Sequence, residues 1–235
     1  VWSREDLMTL GEICTKRRVV VLSDEVHCDF IFKGNTFTPY CTLDNEEIVR
    51  NSFTYTSTSK TFSLPAMKVA YMFSHNPEYI EKVLATGHRQ SLNTLGIIAA
   101  QTAYDECHDW LDQAVAYIDG TMDYVESFIR QNMPLVKFVK PQGTYLGWLD
   151  VSEVVDRIGA KETAAEENKK LEDGESPVTP ETVVQRFFVD KAKVVLNTGS
   201  SYGIGGAGRM RMNLGTSRKL VELALNNMAS ALKKI

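Results

Sequence analysis

The spacing of apolar and polar positions predicts alternating helices and strands in the first half of the chain. Residues 3–17 carry apolar side chains at helical period, with Ser3 as the helix cap. The β-branched run at residues 19–22 predicts a buried parallel strand. Residues 48–56 and 69–74 predict two further strands.

Helical patterns follow these strands. Pro77 stands in the first turn of a predicted helix that runs to about Ala85. A helix of small residues is predicted at about 94–106, and a long amphipathic helix at 109–132 ends before Pro134. We expect this long helix to connect two domains, residues 1–125 and residues 126–235.

The second half predicts a smaller α/β domain. Residues 159–178 are charged and poor in large apolar side chains, which favours a mobile surface loop with at most one helical turn. The other predicted elements are strands at 136–139, 145–150, 194–196 and 210–214, and helices at 179–190 and 217–233. The alternation of strands and helices indicates the α/β class.

Composition narrows the possible partners. The chain has 235 residues, is 43% hydrophobic and carries a formal net charge of −4. This negative charge argues against nucleic acid as a partner and against a polybasic segment that binds a membrane surface. No apolar run is long enough to span a membrane. The four cysteines lack metal-binding or disulfide-like spacing and predict reduced thiols in a cytoplasmic protein. His75, His88 and His108 are scattered, so no metal site is predicted.

Two polar segments follow predicted strands. Asp24-Glu25-Val26-His27 comes at the carboxyl end of the first strand, where open α/β sheets bind ligands. The alternative is a strand-end cap with a hydrogen-bonded histidine. Lys60 follows a run of hydroxyl residues between two strand-like segments. Such a setting suits a lysine that attacks a carbonyl group, because neighbouring hydroxyls can hold an anionic partner.

Two late motifs have open interpretations. The glycines at 203, 205 and 208 match GxGxxG, but they lead into a predicted strand instead of a helix. A flexible loop or turn is therefore favoured over a dinucleotide site. Arg211 lies between Met210 and Met212, so strand alternation places its side chain on the opposite face. It is either an exposed arginine or a fork for a carboxylate.

Together, the acid at a strand end, the hydroxyl-rich lysine segment and the late arginine resemble, in order and spacing, the fold-type I pyridoxal-phosphate (PLP) enzymes of the aspartate aminotransferase superfamily. The closer resemblance is to PatB/MalY-type carbon–sulfur lyases, or cystathionine β-lyases. Segments 23–27, 140–150 and 197–215 carry it, with His27 where many aminotransferases have tyrosine.

This resemblance implies the fold. We expect an aminotransferase-like, PLP-dependent transferase fold of the α/β class. Residues 1–125 would be the C-terminal part of a PLP-binding large domain with a mostly parallel sheet. Residues 126–235 would be the smaller α/β C-terminal domain.

The resemblance also implies roles around the cofactor ring. Lys60 resembles the catalytic lysine that bonds covalently to PLP and later shuttles the α-proton. Asp24 would face the pyridinium nitrogen and keep it protonated. Val26 would pack on the ring face, and His27 would lie near the 3′-oxygen.

Further roles concern the two anionic groups. Ser57 and Ser59 resemble the hydroxyls that bind the cofactor phosphate. Lys68 stands where many aminotransferases have a phosphate-binding arginine, so it keeps the charge and loses the bidentate fork. Arg211 resembles the arginine that binds the α-carboxylate of the substrate.

The resemblance implies a long segment before Val1, with a glycine-containing phosphate loop, an aromatic residue that stacks on the cofactor and an Asn-Pro motif. The chain alone would then expose a sheet edge. We therefore expect the isolated chain to bind PLP weakly or not at all and to have little activity.

The implied function is PLP-dependent β-elimination on a sulfur amino acid such as cystathionine, which yields pyruvate, ammonia and a thiol. A homodimer in the cytoplasm is implied as well. One alternative is a class I/II aminotransferase, which shares the proton removal. Another is an inactive fragment or a regulatory interaction module. The sequence alone does not distinguish the lyase from the transferase.

Overall fold

The structure is a computed structural model that describes residues 1–87 and 93–235. It divides into two compact units, Val1–Ala116 with Gln142–Thr144 and Tyr117–Pro141 with Tyr145–Ile235. The division falls inside one long helix, at an earlier position than the boundary expected after residue 125. The domain limits 1–125 and 126–235 stay a prediction, because compact units need not coincide with the domains of the family.

The first unit contains a three-stranded sheet and surrounding helices. Its elements are α1 (Arg4–Lys16), β1 (Val21–Asp24), α2 (Glu46–Arg50), β2 (Ser52–Thr56), α3 (Thr58–Thr61), β3 (Tyr71–Phe73), α4 (Pro77–Ala85), α5 (Thr94–Glu106) and the first part of α6 (His108–Asn132). The strand order is β1-β2-β3. β1 pairs with β2 in parallel, and β2 pairs with β3 antiparallel.

The core of the first unit lies under α1 and α2. Tyr40, Leu43, Ile48 and Val49 are buried there, and Val21 of β1 packs against them. Leu22, the next residue along β1, points to the other face and is 64% exposed. The parallel pairing of β1 with β2 confirms the predicted parallel strand. Burial on both faces is wrong, because the residues that the structure describes cover one face of β1 and leave Leu22 exposed.

The predicted strand at 48–56 is wrong in its first part, which forms α2. The side chain of Asn45 accepts hydrogen bonds from the backbone N–H groups of Glu47 and Ile48, which caps the helix. Ile48 and Val49 are both buried on α2, so adjacent apolar residues that favour a strand in the sequence belong to a helix. Only Ser52–Thr56 is extended.

The second unit packs helices against a four-stranded sheet. Its elements are the rest of α6, β4 (Lys137–Phe138), β5 (Leu146–Asp150), α7 (Ser152–Arg157), α8 (Ala160–Asn168), α9 (Pro180–Ala192), β6 (Asn197–Thr198), β7 (Arg209–Asn213) and α10 (Arg218–Leu232). The strand order is β4-β5-β7-β6, and every pairing is antiparallel. Met122, Leu149, Phe188, Met210 and Leu225 are completely buried in its core.

Two predictions for the second unit are wrong. Residues 160–168 form helix α8, where a surface loop was expected, because the small side chains of Ala160 and Ala164 provide its buried face. The strand expected at 194–196 lies later, at Asn197–Thr198. Lys193 ends α9 in a left-handed conformation, and Val194 N–H bonds to Phe188 O, so the chain is still leaving the helix there.

The loop interpretation of the glycine motif is confirmed. The glycines at 203, 205 and 208 have positive φ angles and lead into β7. Within residues 1–87 and 93–235, no helix is long and apolar enough to cross a membrane.

Two helical glycines differ in the space around them, which gives a test of the packing. A Cβ on Gly11 of α1 would collide with the Ile48 side chain and lie 2.8 Å from Tyr40 Oη. A Cβ on Gly120 of α6 would meet only Arg218 Nη2, at an ordinary 3.6 Å. We expect Gly11→Ala to lower the free energy of unfolding by about 1–3 kcal/mol through overpacking.

Gly120→Ala is the matched control. It should raise the free energy of unfolding by about 0.5–1 kcal/mol, because alanine loses less backbone entropy than glycine in a helix. Urea denaturation followed by circular dichroism measures both. Equal stability of Gly11→Ala and the wild type would show that α1 does not pack on α2 as described.

Candidate active site

The carboxyl ends of β1 and β2 lie at the same edge of the sheet, because the strands are parallel and Asp24 pairs with Tyr55. The start of β3 lies at this edge too, since Thr56 pairs with Tyr71. Ligands of open α/β sheets bind at such an edge. The predicted site residues next to these strand ends are Asp24, Val26, His27, Ser57, Ser59, Lys60 and Lys68.

Ser57 organises the segment after β2. Its hydroxyl oxygen caps α3 by accepting a hydrogen bond from Ser59 N–H at 3.0 Å, and it lies 2.7 Å from Ser59 Oγ. The Ser57 hydroxyl donates to Val69 O at 2.6 Å. Since Val69 follows Lys68, one buried hydroxyl connects the Ser57–Ser59 pair to the segment that carries Lys68.

Lys60 and Lys68 are both exposed. Lys60 lies in the last turn of α3, and the next residue, Thr61, is buried and donates to Asp29 Oδ2 at 2.6 Å. Lys68 ends a 3₁₀ helix, Pro65–Met67, with a left-handed φ of 52°. In the part of the chain that the structure describes, neither lysine forms an ion pair. Their amino groups are therefore accessible to a ligand.

The two adjacent acids after β1 have different environments. Asp24 is exposed, and its Oδ1 accepts a hydrogen bond from the N–H of the half-buried Val26 at 3.2 Å. Glu25 is 9% exposed, and its Oε1 accepts from Ser23 Oγ and from Tyr40 N–H, each at 2.9 Å. Glu25 is a structural carboxylate, and Asp24 is the one that a ligand can reach.

His27 contacts a distant segment of the same unit. Its Nδ1 lies 3.2 Å from Thr144 Oγ1. Thr144 N–H donates to Phe30 O at 2.6 Å, and Ile31 forms an antiparallel bridge with Gly143. A side chain on Gly143 would collide with Phe30 O, so this approach requires glycine. Thr144 was missed as a site residue, although it lies in the motif that follows Pro141.

Arg211 belongs to the second unit. On β7 it is half-buried, between the fully buried Met210 and the buried Met212, which confirms the predicted alternation. Its Nη2 donates to Asn197 Oδ1 at 3.4 Å, and its guanidinium lies 4.6 Å from the centroid of the Tyr202 ring. Nε is buried and has no hydrogen-bond partner among the described residues. The guanidinium thus keeps donors available for a carboxylate.

In the described ranges, no group of three or more His, Cys, Asp or Glu side chains is arranged to hold a metal ion. His88, one of the scattered histidines, lies outside the described residues. All four cysteines are free and partly exposed.

Comparison with known proteins identifies relatives of the chain. The family model described as aminotransferase class I and II matches residues 1–227. Cystathionine beta-lyase PatB of Bacillus subtilis (strain 168) is 32% identical over 234 residues, which are 98% of this chain and 54% of that protein. The chain therefore spans about half the length of the curated relatives it matches.

Solved structures agree with this result. The PLP-bound C-S lyase of Staphylococcus hominis matches with a TM-score of 0.82 and 27% identity, over 99% of this chain and 55% of that one. Cystalysin of Treponema denticola, a structure that contains pyridoxal 5′-phosphate, matches with a TM-score of 0.83 and 27% identity, over 100% of this chain and 54% of that one.

The environment of Cys28 at this edge predicts its reactivity. Burial, together with the charges of Asp29 and Glu25, raises the pKa of Cys28 to about 11. A raised pKa keeps the thiol protonated, so thiolate is rare at pH 8. Because only the thiolate is nucleophilic, we expect the alkylation rate of Cys28 to rise about tenfold per pH unit from pH 8 to 10.

Iodoacetamide labelling with peptide mass spectrometry measures this rate, and Cys28→Ser controls for the peptide assignment. A rate that levels off near pH 9, as for an ordinary thiol, would contradict the prediction.

Proposed function

The chain belongs to the aminotransferase class I and II family. We propose that its function is that of a PLP-dependent carbon–sulfur β-lyase, which acts on a sulfur amino acid such as cystathionine. The family and the fold class predicted from the sequence are confirmed by these matches. The activity is a proposal, since the chain spans about half of its relatives' length. The observation that carries it is the convergence of Asp24, the Ser57–Ser59 pair, Lys60 and Lys68 at one sheet edge.

The donor set at this edge fits PLP. The hydroxyls of Ser57 and Ser59 and the ammonium group of Lys68 suit a phosphate, and the Ser57–Val69 hydrogen bond ties the two segments together. The carboxylate of Asp24 suits a protonated ring nitrogen. The exposed amine of Lys60 suits the cofactor aldehyde. These five residues carry charges and donors complementary to the phosphate, the ring nitrogen and the aldehyde of the cofactor.

His27 and Val26 complete the proposed contacts with the ring. Val26 would pack on the ring face, and His27 would hydrogen-bond the 3′-oxygen. Thr144 supports this role of His27, because its hydroxyl lies 3.2 Å from Nδ1 and orients the imidazole. The other ring nitrogen, Nε2, would then be the one that faces the cofactor.

The chain's residues divide the proposed chemistry among them. PLP supplies an acceptor for the electron pair left on the substrate α-carbon. Lys60 Nζ would remove the α-proton, and Asp24 would hold the proton on the ring nitrogen. The Cβ–S bond would then break, the sulfur would leave as a thiolate that takes up a proton, and the released aminoacrylate would react with water to give pyruvate and ammonia.

Arg211 is the proposed binding group for the substrate α-carboxylate. Its side chain is half-buried on β7, so part of the guanidinium can meet a carboxylate. Tyr202 stacks on the guanidinium and Asn197 bonds to Nη2, which limits its rotation. A half-buried arginine held in this way favours bidentate binding.

We propose a homodimer in the cytoplasm. Self-association is supported by an open groove of about 480 Å³ whose lining includes Leu95, Ile98 and Trp110, which are 70%, 55% and 48% exposed. Apolar patches of this kind mark association surfaces. The four free cysteines are consistent with a reducing compartment.

Because the chain spans about half of its relatives' length, both tests of the proposed function use the full-length protein that carries it. The role of Lys60 can be tested by borohydride reduction in the presence of PLP. We expect peptide mapping to find the reduced cofactor preferentially on Lys60. The label should disappear in Lys60→Ala and remain in Lys82→Ala, an exposed lysine on α4. Label spread evenly over the surface lysines would contradict the assignment.

The reaction class has a separate test. We expect pyruvate to form from cystathionine without an added keto acid, and Lys60→Ala to reduce the rate by at least about 10²-fold, because the general base is lost. Lactate dehydrogenase coupled to the reaction measures pyruvate. A strict requirement for a keto acid would assign the protein to the aminotransferases instead, and no turnover of either kind would favour the regulatory alternative.

A further inference from the structure

Glu181 is a buried carboxylate of the second unit that the proposed reaction does not use. It lies in the first turn of α9 and is 3% exposed. Among residues 1–87 and 93–235 it forms no ion pair. A buried charge costs free energy unless hydrogen bonds compensate it. The groups that compensate Glu181 therefore indicate its role.

We propose that Glu181 is a positioning residue for Arg211, because it fixes the loop that holds the groups around the guanidinium. The loop in question, here called the glycine loop, comprises residues 203–208 between a 3₁₀ helix, Gly199–Tyr202, and β7. The inference rests on the proposed binding of the substrate carboxylate by Arg211.

The first turn of α9 contacts the backbone on both sides of the glycine loop. Glu181 Oε1 accepts a hydrogen bond from Gly208 N–H at 2.6 Å, immediately before β7. Ser200 Oγ, in the 3₁₀ helix, donates to Oγ1 of Thr179, the N-cap of α9, at 3.3 Å. Burial alone would raise the pKa of Glu181, but hydrogen bonds from the Gly208 and Glu181 amides and the nearby Thr179 and Ser200 hydroxyls lower it. The carboxylate is thus ionised and fully engaged.

The glycine loop is closed tightly between these contacts. A side chain on Gly206 would collide with the Gly199 carbonyl, and one on Gly199 would collide with the Gly206 carbonyl. Arg209 N–H donates to Gly206 O at 3.2 Å, and Gly206 N–H donates to Gly203 O at 3.1 Å. Gly208 itself has a φ of +72°. The backbone before β7 is therefore closely packed and has little room to rearrange.

The groups around Arg211 come from opposite ends of this loop. Tyr202, whose ring lies 4.6 Å from the guanidinium, ends the 3₁₀ helix that contains Ser200. Asn197, which accepts from Nη2, precedes that helix on β6. Arg211 follows Gly208 on β7. The β6–β7 pairing places Asn197 beside Arg211. Glu181, through Gly208, holds the loop that connects Tyr202 to β7 and so helps to keep this ring beside the guanidinium.

The test begins with nuclear magnetic resonance on the chain without cofactor. Glu181→Gln keeps the size of the side chain and removes its charge, so the strong bond to Gly208 N–H weakens. We expect the Gly208 N–H proton to move upfield and the Arg211 Nε–H and Tyr202 ring signals to shift. Glu162→Gln, an exposed acid in the first turn of α8, is the matched control and should change none of them.

Ser200→Ala is the second variant, since it removes one hydroxyl and keeps the charge. It should shift the same signals in the same direction by a smaller amount, with the rest of the spectrum unchanged. Arg211 and Tyr202 signals that stay at their wild-type positions in folded Glu181→Gln would overturn the proposal.

The kinetic test uses the full-length, PLP-loaded enzyme. We expect Glu181→Gln to raise KM for the amino acid about tenfold, the size expected for one charge-assisted hydrogen bond, with kcat within about twofold. The ratio of kcat/KM for the amino acid to kcat/KM for its α-carboxamide should also fall about tenfold. A general loss of structure would lower both values and leave their ratio unchanged. An unchanged preference, or a loss confined to kcat, would overturn the proposal.

The two proposals can fail separately. If Arg211→Ala leaves KM unchanged, Arg211 does not bind the substrate carboxylate and the proposed function of this site is wrong. The positioning of Arg211 by Glu181 is then still decided by the resonance shifts, which need neither substrate nor cofactor.

Discussion

The parallel pairing of β1 with β2 is the constraint on which the candidate site depends. Since parallel strands end at the same edge, the register of Asp24 with Tyr55 places the acid next to the segment that carries Lys60. An antiparallel pairing of these strands would put the two side chains at opposite edges. β3 adds the Lys68 segment by the antiparallel pair of Thr56 with Tyr71.

Buried polar groups then fix the loops that leave the sheets. Ser57 bonds to Val69 O in the first unit, and Glu181 bonds to Gly208 N–H in the second. Val69 directly follows Lys68 and Gly208 lies shortly before Arg211, so each partner is close to a proposed ligand-binding cation. Each of these bonds would cost free energy if it were broken, because a buried group would lose its partner. Such bonds give irregular segments one defined conformation.

The family match explains why these features occur in one chain. The aminotransferase class I and II model covers residues 1–227, and the relatives extend over about twice this length. The fold class was predictable because motif order and spacing persist at 32% identity. The errors at 48–56 and 160–168 arose where helix capping by Asn45 and burial of Ala160 and Ala164 outweighed the apolar pattern.

Periodicity and side-chain type are local properties, so the sequence predicts the type of most elements and the residues proposed to do the chemistry, such as Lys60 and Arg211. The tertiary packing selects which of two adjacent acids stays accessible. Glu25 is buried against Tyr40 N–H, and Asp24 faces outward. It also decides that Thr144 meets His27 and that Glu181 holds Gly208. These contacts join residues far apart in the chain, so they depend on strand pairing and packing that no local pattern contains.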